Sequence, residues 1–183
     1  MLELIVYPKS KNQRLINNSP FCAKTEVFLK LAKIDFTVNN FNSNPGKFKN
    51  AKLPVLKDGQ NLICDSTLIE KSLIEKHSIT INSHLSAEQD AIGFAFAKLV
   101  EDNLYWSILH ERWFVDSNWK KLKADYFGHM PIFIKNIIPN IIQKDVLKSA
   151  KGHGMSRHSD EQVHEFGAIA IKKISALLGV KKY

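Results

Sequence analysis

Short apolar runs alternate with polar and turn-forming residues along the first part of the chain. Residues 2–7 form an apolar run ended by a proline, which predicts a buried strand. Residues 9–18 carry no periodic pattern and are predicted to form a loop. Ser19-Pro20 then combines an N-cap residue with a proline suited to the first helical position, so a helix is predicted to begin here. Residues 35–39 predict a second strand, which would pair in parallel with the first and complete a right-handed β-α-β unit.

The next stretch of the chain is rich in turn residues. Residues 42–52 are basic and turn-forming, with room for at most one short helix. Asp58-Gly59 is a strong hairpin signal, and the strands that it joins are predicted at residues 54–57 and 61–64.

One more helix completes an α/β domain. Asp65-Ser66 can cap a helix that ends near residue 77. The predicted elements have a thioredoxin-like arrangement, which is the order strand, helix, strand, turn, strand, strand and helix. The sequence therefore predicts a thioredoxin-like N-terminal domain over residues 1–77 and a polar linker over residues 78–86.

From residue 87 to residue 183 the apolar positions predict helices and no convincing strand. Ser86 and Ser159 each open a capping box, in which the serine is followed three residues later by a glutamine. The helix that begins after Ser86 is predicted to extend to about Trp113. These patterns predict an all-helical C-terminal domain over residues 87–183.

Two features are predicted to break the helical pattern. Residues 116–118, an Asp-Ser-Asn run, are predicted to interrupt it. A second helical stretch, residues 131–149, carries Pro139 in its interior and is predicted to kink there.

Composition and charge exclude several functional classes. The net charge of +8 is shared as +5 over residues 1–77 and +3 over the remainder, with no block of five like charges, so no nucleic-acid-binding arm is expected. No apolar run reaches the ~18 to 20 residues that cross a bilayer, so no transmembrane segment is expected. The two cysteines imply no disulfide framework and favour a reducing, cytoplasmic compartment. No metal site is expected, because the spacing of His153, His158 and His164 matches no metal-binding pattern.

Ser19-Pro20-Phe21-Cys22 carries the most chemical information. A thioredoxin-like fold places a C-x-x-C motif here, at a helix N-terminus whose N–H groups and partial positive charge stabilise a thiolate. Ser19 cannot form the disulfide of that motif, but its hydroxyl can donate a hydrogen bond to the thiolate of a bound ligand. A helix cap without a ligand would have the same sequence, so both interpretations stay open. Cys22 is a candidate reactive thiol, with a buried, unreactive cysteine as the favoured alternative, and Cys64 is predicted to lie in the core.

Two other positions are candidate ligand contacts. Leu53-Pro54 precedes a strand at the point where this fold places a cis-proline, which would present the backbone of Leu53 to an extended peptide. A trans proline at a strand start is the alternative. Asp65-Ser66 lies at a helix N-terminus that can hold an anion, although a cap without a ligand would look the same.

These motifs resemble the glutathione transferase superfamily over nearly the whole chain. Residues 19–26 read SPFCAKTE, residues 52–56 read KLPVL and residues 63–66 read ICDS. The branch that the chain resembles most is the failed-axon-connections and metaxin-like branch, with its bacterial relatives. Two segments carry this finer likeness, namely EDNLYW at residues 101–106 with Arg112-Trp113, and GHGMSRHS at residues 152–159.

The resemblance implies a glutathione-binding site in the N-terminal domain. It assigns no chemistry to Arg157-His158, and Ser156 stands where the family has a glycine. The implied contacts are Ser19 with the glutathione thiol, Leu53-Pro54 with its backbone, and Asp65 and Ser66 with its γ-glutamyl end.

Two functions are compatible with this resemblance. The first is glutathione binding, with conjugation to a small apolar electrophile if the protein is an active enzyme. The alternative is a non-catalytic, metaxin-like adaptor on the same scaffold. Family members continue beyond Leu178-Gly179 into another core helix, whereas this sequence stops at Tyr183, so either the sequence is truncated or the helical domain is shortened and lacks that helix. If the end is natural, the gap is expected to expose apolar surface that a second copy in a homodimer or a protein partner would have to cover.

Overall fold

A computed structural model describes residues 1–9, 15–128 and 130–180 of the chain. The chain divides into two units, Met1–His84 and Leu85–Tyr183. Half of the loop predicted at residues 9–18 lies outside the described residues, at 10–14.

The N-terminal unit combines four strands with two helices, as the thioredoxin-like pattern predicted. The elements are β1 (Leu2–Val6), α1 (Pro20–Leu31), β2 (Phe36–Asn40), β3 (Val55–Asp58), β4 (Asn61–Cys64) and α2 (Ser66–His77). The sheet has the order β2-β1-β3-β4. Strands β1 and β2 pair in parallel, whereas β1 with β3 and β3 with β4 pair antiparallel. The predicted β-α-β unit and hairpin are thereby confirmed.

The core of this unit lies between the sheet and the two helices. Side chains from β1 and β3, including Leu4 and Leu56, are fully buried beside Leu29 of α1 and Ile69 of α2. Strand β2 contributes only partly buried side chains, because it is an edge strand. In the turn-rich stretch before β3, one short 3-10 turn forms at Pro45–Lys47, which agrees with the prediction of at most one short helix.

The described residues of the C-terminal unit form helices and their connections and no strand, as predicted. Its helices are α3 (Ala87–Lys98), α4 (Tyr105–Trp113), α5 (Asp116–Phe127), α6 (Ile132–Lys135), α7 (Ile138–His153) and α8 (Asp160–Leu178). Both predicted capping boxes are present, with Ser86 at the start of α3 and Ser159 at the start of α8. Helices α3 and α4 are continuous through a π-helical segment, Leu99–Leu104, where the N–H of Tyr105 donates to the carbonyl of Val100. The sequence did not predict this wider turn.

Two predicted helix breaks lie elsewhere than expected. The helix is interrupted after Trp113, but at Phe114 and Val115 and not at residues 116–118, because Asp116 begins α5, where its negative charge is favourable beside the positive end of the helix dipole. Pro139 does not kink a continuous helix, because the chain leaves the helical path at Asn136 and Ile137. The proline instead lies in the first turn of α7, where no intrahelical partner is lost by its missing N–H.

Candidate functional site

Three of the predicted site segments meet at one edge of the N-terminal sheet. Val55 begins β3 and pairs with Ile5 of β1 on one side and with Cys64 of β4 on the other. The carboxyl ends of β1 and β4 therefore lie beside the amino end of β3. The segments just beyond this edge are residues 17–19, which Asn17 joins to Tyr7 after β1, the Leu53-Pro54 pair and the Asp65-Ser66 pair.

Ser19 is the N-cap of α1. Its φ and ψ of −86° and 121° are extended, and its Oγ accepts a 3.4 Å hydrogen bond from the backbone N–H of Cys22. A hydroxyl that accepts one hydrogen bond still carries a hydrogen that it can donate. The capping role is thus present in the structure, and it leaves the donor role of Ser19 open.

Asn17 fixes the position of Ser19, and the sequence did not single it out. Its side-chain amide donates a 2.8 Å hydrogen bond to the carbonyl of Tyr7, just beyond β1. Its Oδ1 accepts a 2.9 Å hydrogen bond from the N–H of Ser19. The amide is buried and so couples the end of the strand to the start of the helix. An asparagine in a segment without periodicity gave no signal of this hydrogen-bonded bridge.

Cys22 has the surroundings of an unreactive thiol. It is fully buried in the core, and this burial raises the pKa of the thiol, although hydrogen bonds from Ser19 and from the backbone of Tyr7 oppose the rise. The carboxylate of Glu26, one turn later in α1, raises the pKa further. A reactive cysteine needs a lowered pKa and access to solvent, so the structure favours the buried alternative for Cys22. Cys64 is half-buried at the end of β4, and it packs against the core.

Glu26 places a buried carboxylate on the inner side of α1. It is 3% exposed, and its Oε1 accepts a 2.6 Å hydrogen bond from Lys30. Within the described ranges its second oxygen, Oε2, has no hydrogen-bond partner. Because it stands near Cys22, this negative charge disfavours a thiolate at that cysteine.

The Leu53-Pro54 peptide bond is cis, as predicted from the sequence. Both residues are buried immediately before β3. The contact of Leu53 with a ligand stays a prediction.

Asp65 already uses one carboxylate oxygen to cap α2. Its Oδ1 accepts hydrogen bonds from the N–H groups of Thr67, at 2.9 Å, and Leu68, at 3.3 Å. The backbone of Asp65 has a φ of +96°, which few residues other than glycine and asparagine adopt easily. Ser66 is buried beside it. The carboxylate of Asp65 would thus repel a second anion at this helix N-terminus and attract a cation.

A second cluster of polar side chains lies within the C-terminal unit. His110 of α4 is buried, with its Nδ1 2.8 Å from the Oγ of Ser156 and its Nε2 2.8 Å from Oδ1 of Asp160. These bonds join α4 to the start of α8 across about fifty residues of sequence, which is why the sequence did not reveal them. Serine, histidine and aspartate also form hydrolase triads, but there the serine bonds to Nε2 and the aspartate to Nδ1, the reverse of this order. We therefore interpret the cluster as structural, since its hydrogen bonds connect α4 to the segment that begins α8.

The GHGMSRHS segment connects α7 to α8. Gly154 ends α7 with a φ of +110°, and residues Met155–Arg157 form a 3-10 turn. Ser156 has a φ of −81° within this turn, so the position does not require glycine. The Nε of Arg157 donates a 2.8 Å hydrogen bond to the carbonyl of Lys151, one of the last carbonyls of α7. The Arg157 side chain thus caps a helix.

Among residues 1–9, 15–128 and 130–180, no group of three or more histidine, cysteine, aspartate or glutamate side chains could hold a metal ion. None of the helices in these ranges is long and apolar enough to span a bilayer.

Comparison with known proteins assigns the chain to a family. The family model described as "Glutathione S-transferase N-terminal domain" matches residues 20–119, a little over half of the chain. The protein Failed axon connections of Drosophila melanogaster is 28% identical, over 98% of this chain and 45% of the fly protein. The Isoprene-epoxide–glutathione S-transferase of Rhodococcus sp. (strain AD45) is 27% identical, over 90% of this chain and 71% of that protein. The chain therefore spans less than half the length of its fly relative.

A solved structure agrees with the fold. The apo form of human glutathione S-transferase T1-1 superposes with a TM-score of 0.50 and 15% sequence identity. The match covers 98% of this chain and 84% of the human chain.

Proposed function

The chain belongs to the glutathione S-transferase superfamily, and from this we propose that its N-terminal unit binds glutathione at the sheet edge formed by β1, β3 and β4. The observation that carries the proposal is the meeting of three separate segments at that edge. The distance from β1 across β3 to β4 is two strand spacings, about 10 Å. A fully extended tripeptide spans about the same length. Glutathione is a tripeptide, so one molecule can reach all three segments.

The side chains at this edge suit the two ends of glutathione. The carboxylate of Asp65 uses one oxygen as a helix cap, and the second is suited to the ammonium group of the γ-glutamyl residue. With the ammonium group paired to Asp65, the negative charge of that carboxylate is offset, and Ser66, in the first turn of α2, would bind the neighbouring carboxylate through its hydroxyl and the helix N-terminus. The backbone of Leu53 would pair with the middle of the peptide. The thiol would then lie at Ser19, whose hydroxyl donates to the thiolate.

Conjugation is the reaction that this arrangement supports. The α1 N-terminus and the Ser19 hydroxyl favour loss of the thiol proton to solvent. The thiolate sulfur then forms a bond to an electrophilic carbon, whose leaving group departs or whose strained ring opens. We take the second substrate to be a small apolar electrophile, since the bacterial relative is named for an isoprene epoxide. The thiol of Cys22 takes no part, because it is buried.

The proposal includes the cellular compartment and the oligomeric state of the protein. Both cysteines are free, which suits a reducing cytoplasm. A homodimer is the proposed assembly, and light scattering at several protein concentrations measures it. The alternative function is a non-catalytic adaptor on the same scaffold, and the buried, high-pKa Cys22 is compatible with it.

Thermal unfolding with and without glutathione tests the binding proposal. A ligand at about 100 times its Kd stabilises the native state by about 2.7 kcal/mol, which raises the Tm of a protein of this size by about 5 to 10 °C. The matched variant is Asp65→Asn, since asparagine caps helices well and tolerates a positive φ but carries no charge. We expect it to keep the unliganded Tm within about 2 °C and to lose most of the glutathione shift. No shift in the parent protein at saturating glutathione would favour the adaptor.

A further inference from the structure

Exposed apolar side chains are concentrated in one short segment of the C-terminal unit. Of the twenty large apolar side chains that are exposed among the described residues, five lie within the ten positions 132–141. Ile132 and Phe133 in α6 are 73% and 84% exposed, and Ile137 and Ile141 are 58% and 52% exposed. Single exposed apolar residues are ordinary, but a contiguous group marks an interaction surface. We call residues 132–141 the apolar segment.

A row of lysines follows the apolar segment on the same face of α7. Lys144, Lys148 and Lys151 are exposed and stand three, seven and ten residues after Ile141. At 100° per residue these four side chains fall within about 80° of one another around the helix. Asp145 is the one acidic side chain in α7. Ile141, the last exposed apolar side chain of the apolar segment, and the basic stripe thus share one side of α7.

The charge of the C-terminal half is unevenly divided along the chain. Residues 117–153 have a net charge of +5, from seven lysines and two aspartates, whereas residues 78–116 have a net charge of −4. The basic part is the one that contains the apolar segment. Any partner of this surface must therefore accept apolar side chains and several positive charges together.

We propose that the apolar segment and the lysine stripe of α7 dock this protein on the surface of an anionic phospholipid bilayer. Exposed aliphatic and aromatic side chains next to lysines are the composition of helices that lie in the membrane interface. The cores of protein–protein interfaces, by contrast, are depleted in lysine. In this arrangement Ile132, Phe133 and Ile137 enter the boundary between headgroups and acyl chains. The lysines of α7 meet the anionic headgroups, and no part of the chain crosses the bilayer.

Vesicle sedimentation tests the proposal with the full chain. One probe is vesicles of phosphatidylcholine alone. The other is vesicles in which about 30% of the lipid is phosphatidylserine, an anionic lipid that attracts basic protein segments. We expect sedimentation with the anionic vesicles, at least tenfold weaker partitioning to the neutral ones, and loss of binding at high salt, where charges are screened. Equal binding to both vesicle types, or none to either, overturns the proposal.

Matched variants localise the contact. Phe133→Ser should weaken partitioning at least tenfold, whereas Phe94→Ser, at an aromatic side chain of α3 that is 65% exposed, should leave it unchanged. Both variants should keep the parent Tm. Equal loss in both would refute the assigned surface.

The lysine stripe has its own control. Lys144→Gln, Lys148→Gln and Lys151→Gln together should weaken binding to anionic vesicles at least tenfold. Removing three exposed lysines elsewhere, at positions 33, 49 and 172, lowers the net charge equally and should cost less than threefold. If the two triple variants lose binding equally, net charge alone attracts the membrane and the stripe is not a site.

A second copy of the chain is the competing occupant of the apolar segment. Light scattering of the parent protein and of Phe133→Ser, without vesicles, decides between them. A dimer that Phe133→Ser dissociates would show that the segment is a protein interface, and would overturn the proposal. An unchanged mass, together with lost vesicle binding, supports the bilayer contact. The thermal shift with glutathione should be the same in both proteins, because the segment lies outside the N-terminal unit.

Discussion

Replacing Ser19 by alanine separates the two roles that this residue can have. The substitution removes the Oγ that accepts the N–H of Cys22 at 3.4 Å. Loss of an N-cap serine costs about 0.5 to 2 kcal/mol, and the long hydrogen bond places this one near the lower end, at about 0.5 to 1 kcal/mol. For a protein of this size the Tm should fall by about 1 to 4 °C. As a cap alone, Ser19 would have no other effect.

The role of Ser19 as a donor predicts a second and larger effect. A hydrogen bond to a charged group contributes about 1.5 to 3 kcal/mol, and one pKa unit corresponds to 1.36 kcal/mol. The pKa of the thiol of bound glutathione should therefore rise by about 1 to 2 units in Ser19→Ala. Ultraviolet absorbance of the thiolate, followed against pH with glutathione at saturation, measures this pKa directly. The assay requires no knowledge of the electrophilic substrate.

Two controls make the result decisive. Ser86→Ala removes another N-cap serine, which accepts the N–H of Gln89 at 3.2 Å in α3, and it should lower the Tm similarly without changing the thiol pKa. Ser19→Thr keeps a hydroxyl at the cap and should retain a low thiol pKa. The donor role would be refuted if the thiol pKa in Ser19→Ala differed from that in the parent protein by less than about 0.3 units. Ser19 would then be a helix cap alone.

Two further predictions concern the packing of each unit. A methyl group at Gly167 of α8 would lie 3.1 Å from Cβ of Ser107 in α4, so Gly167→Ala should destabilise the protein by about 1 to 3 kcal/mol. Gly93→Ala, at an open position of α3, should instead stabilise it by about 0.5 to 1 kcal/mol, and urea unfolding compares the two. Cys22 is fully buried with a raised pKa, so in a Cys64→Ser background its thiol should resist iodoacetamide at pH 8 until denaturant is added. Rapid labelling of the native protein would contradict the burial of Cys22.

The parts of the fold that the sequence predicted depend on local signals. Ser19-Pro20, Asp58-Gly59 and the capping boxes act through neighbouring backbone groups, so their meaning is contained in a few residues. The two errors arose where one residue type serves two purposes. Asp116 can begin a helix or interrupt one, and besides its favourable charge at the N-terminus of α5 the burial of Leu122 and Phe127 favours the helix.

The candidate site was predicted in outline, but its supporting contacts were not. The sequence indicated Ser19, Pro54 and Asp65, because each lies at the end of an element that the pattern predicts. Asn17 and His110 were missed for a different reason. Their partners are ten and up to fifty residues away in sequence, and no local pattern reports such contacts.

The hairpin turn at Gly59-Gln60 is a practical attachment point on the protein. Strand β3 begins at the candidate site and runs away from it, and its four residues place the turn about 10 Å away, at the opposite edge of the sheet. Gly59 has a φ of +62° and open space around it. A peptide tag or a fluorophore inserted there would report on the protein, or fix it to a sensor surface, from the end of the sheet opposite the candidate site.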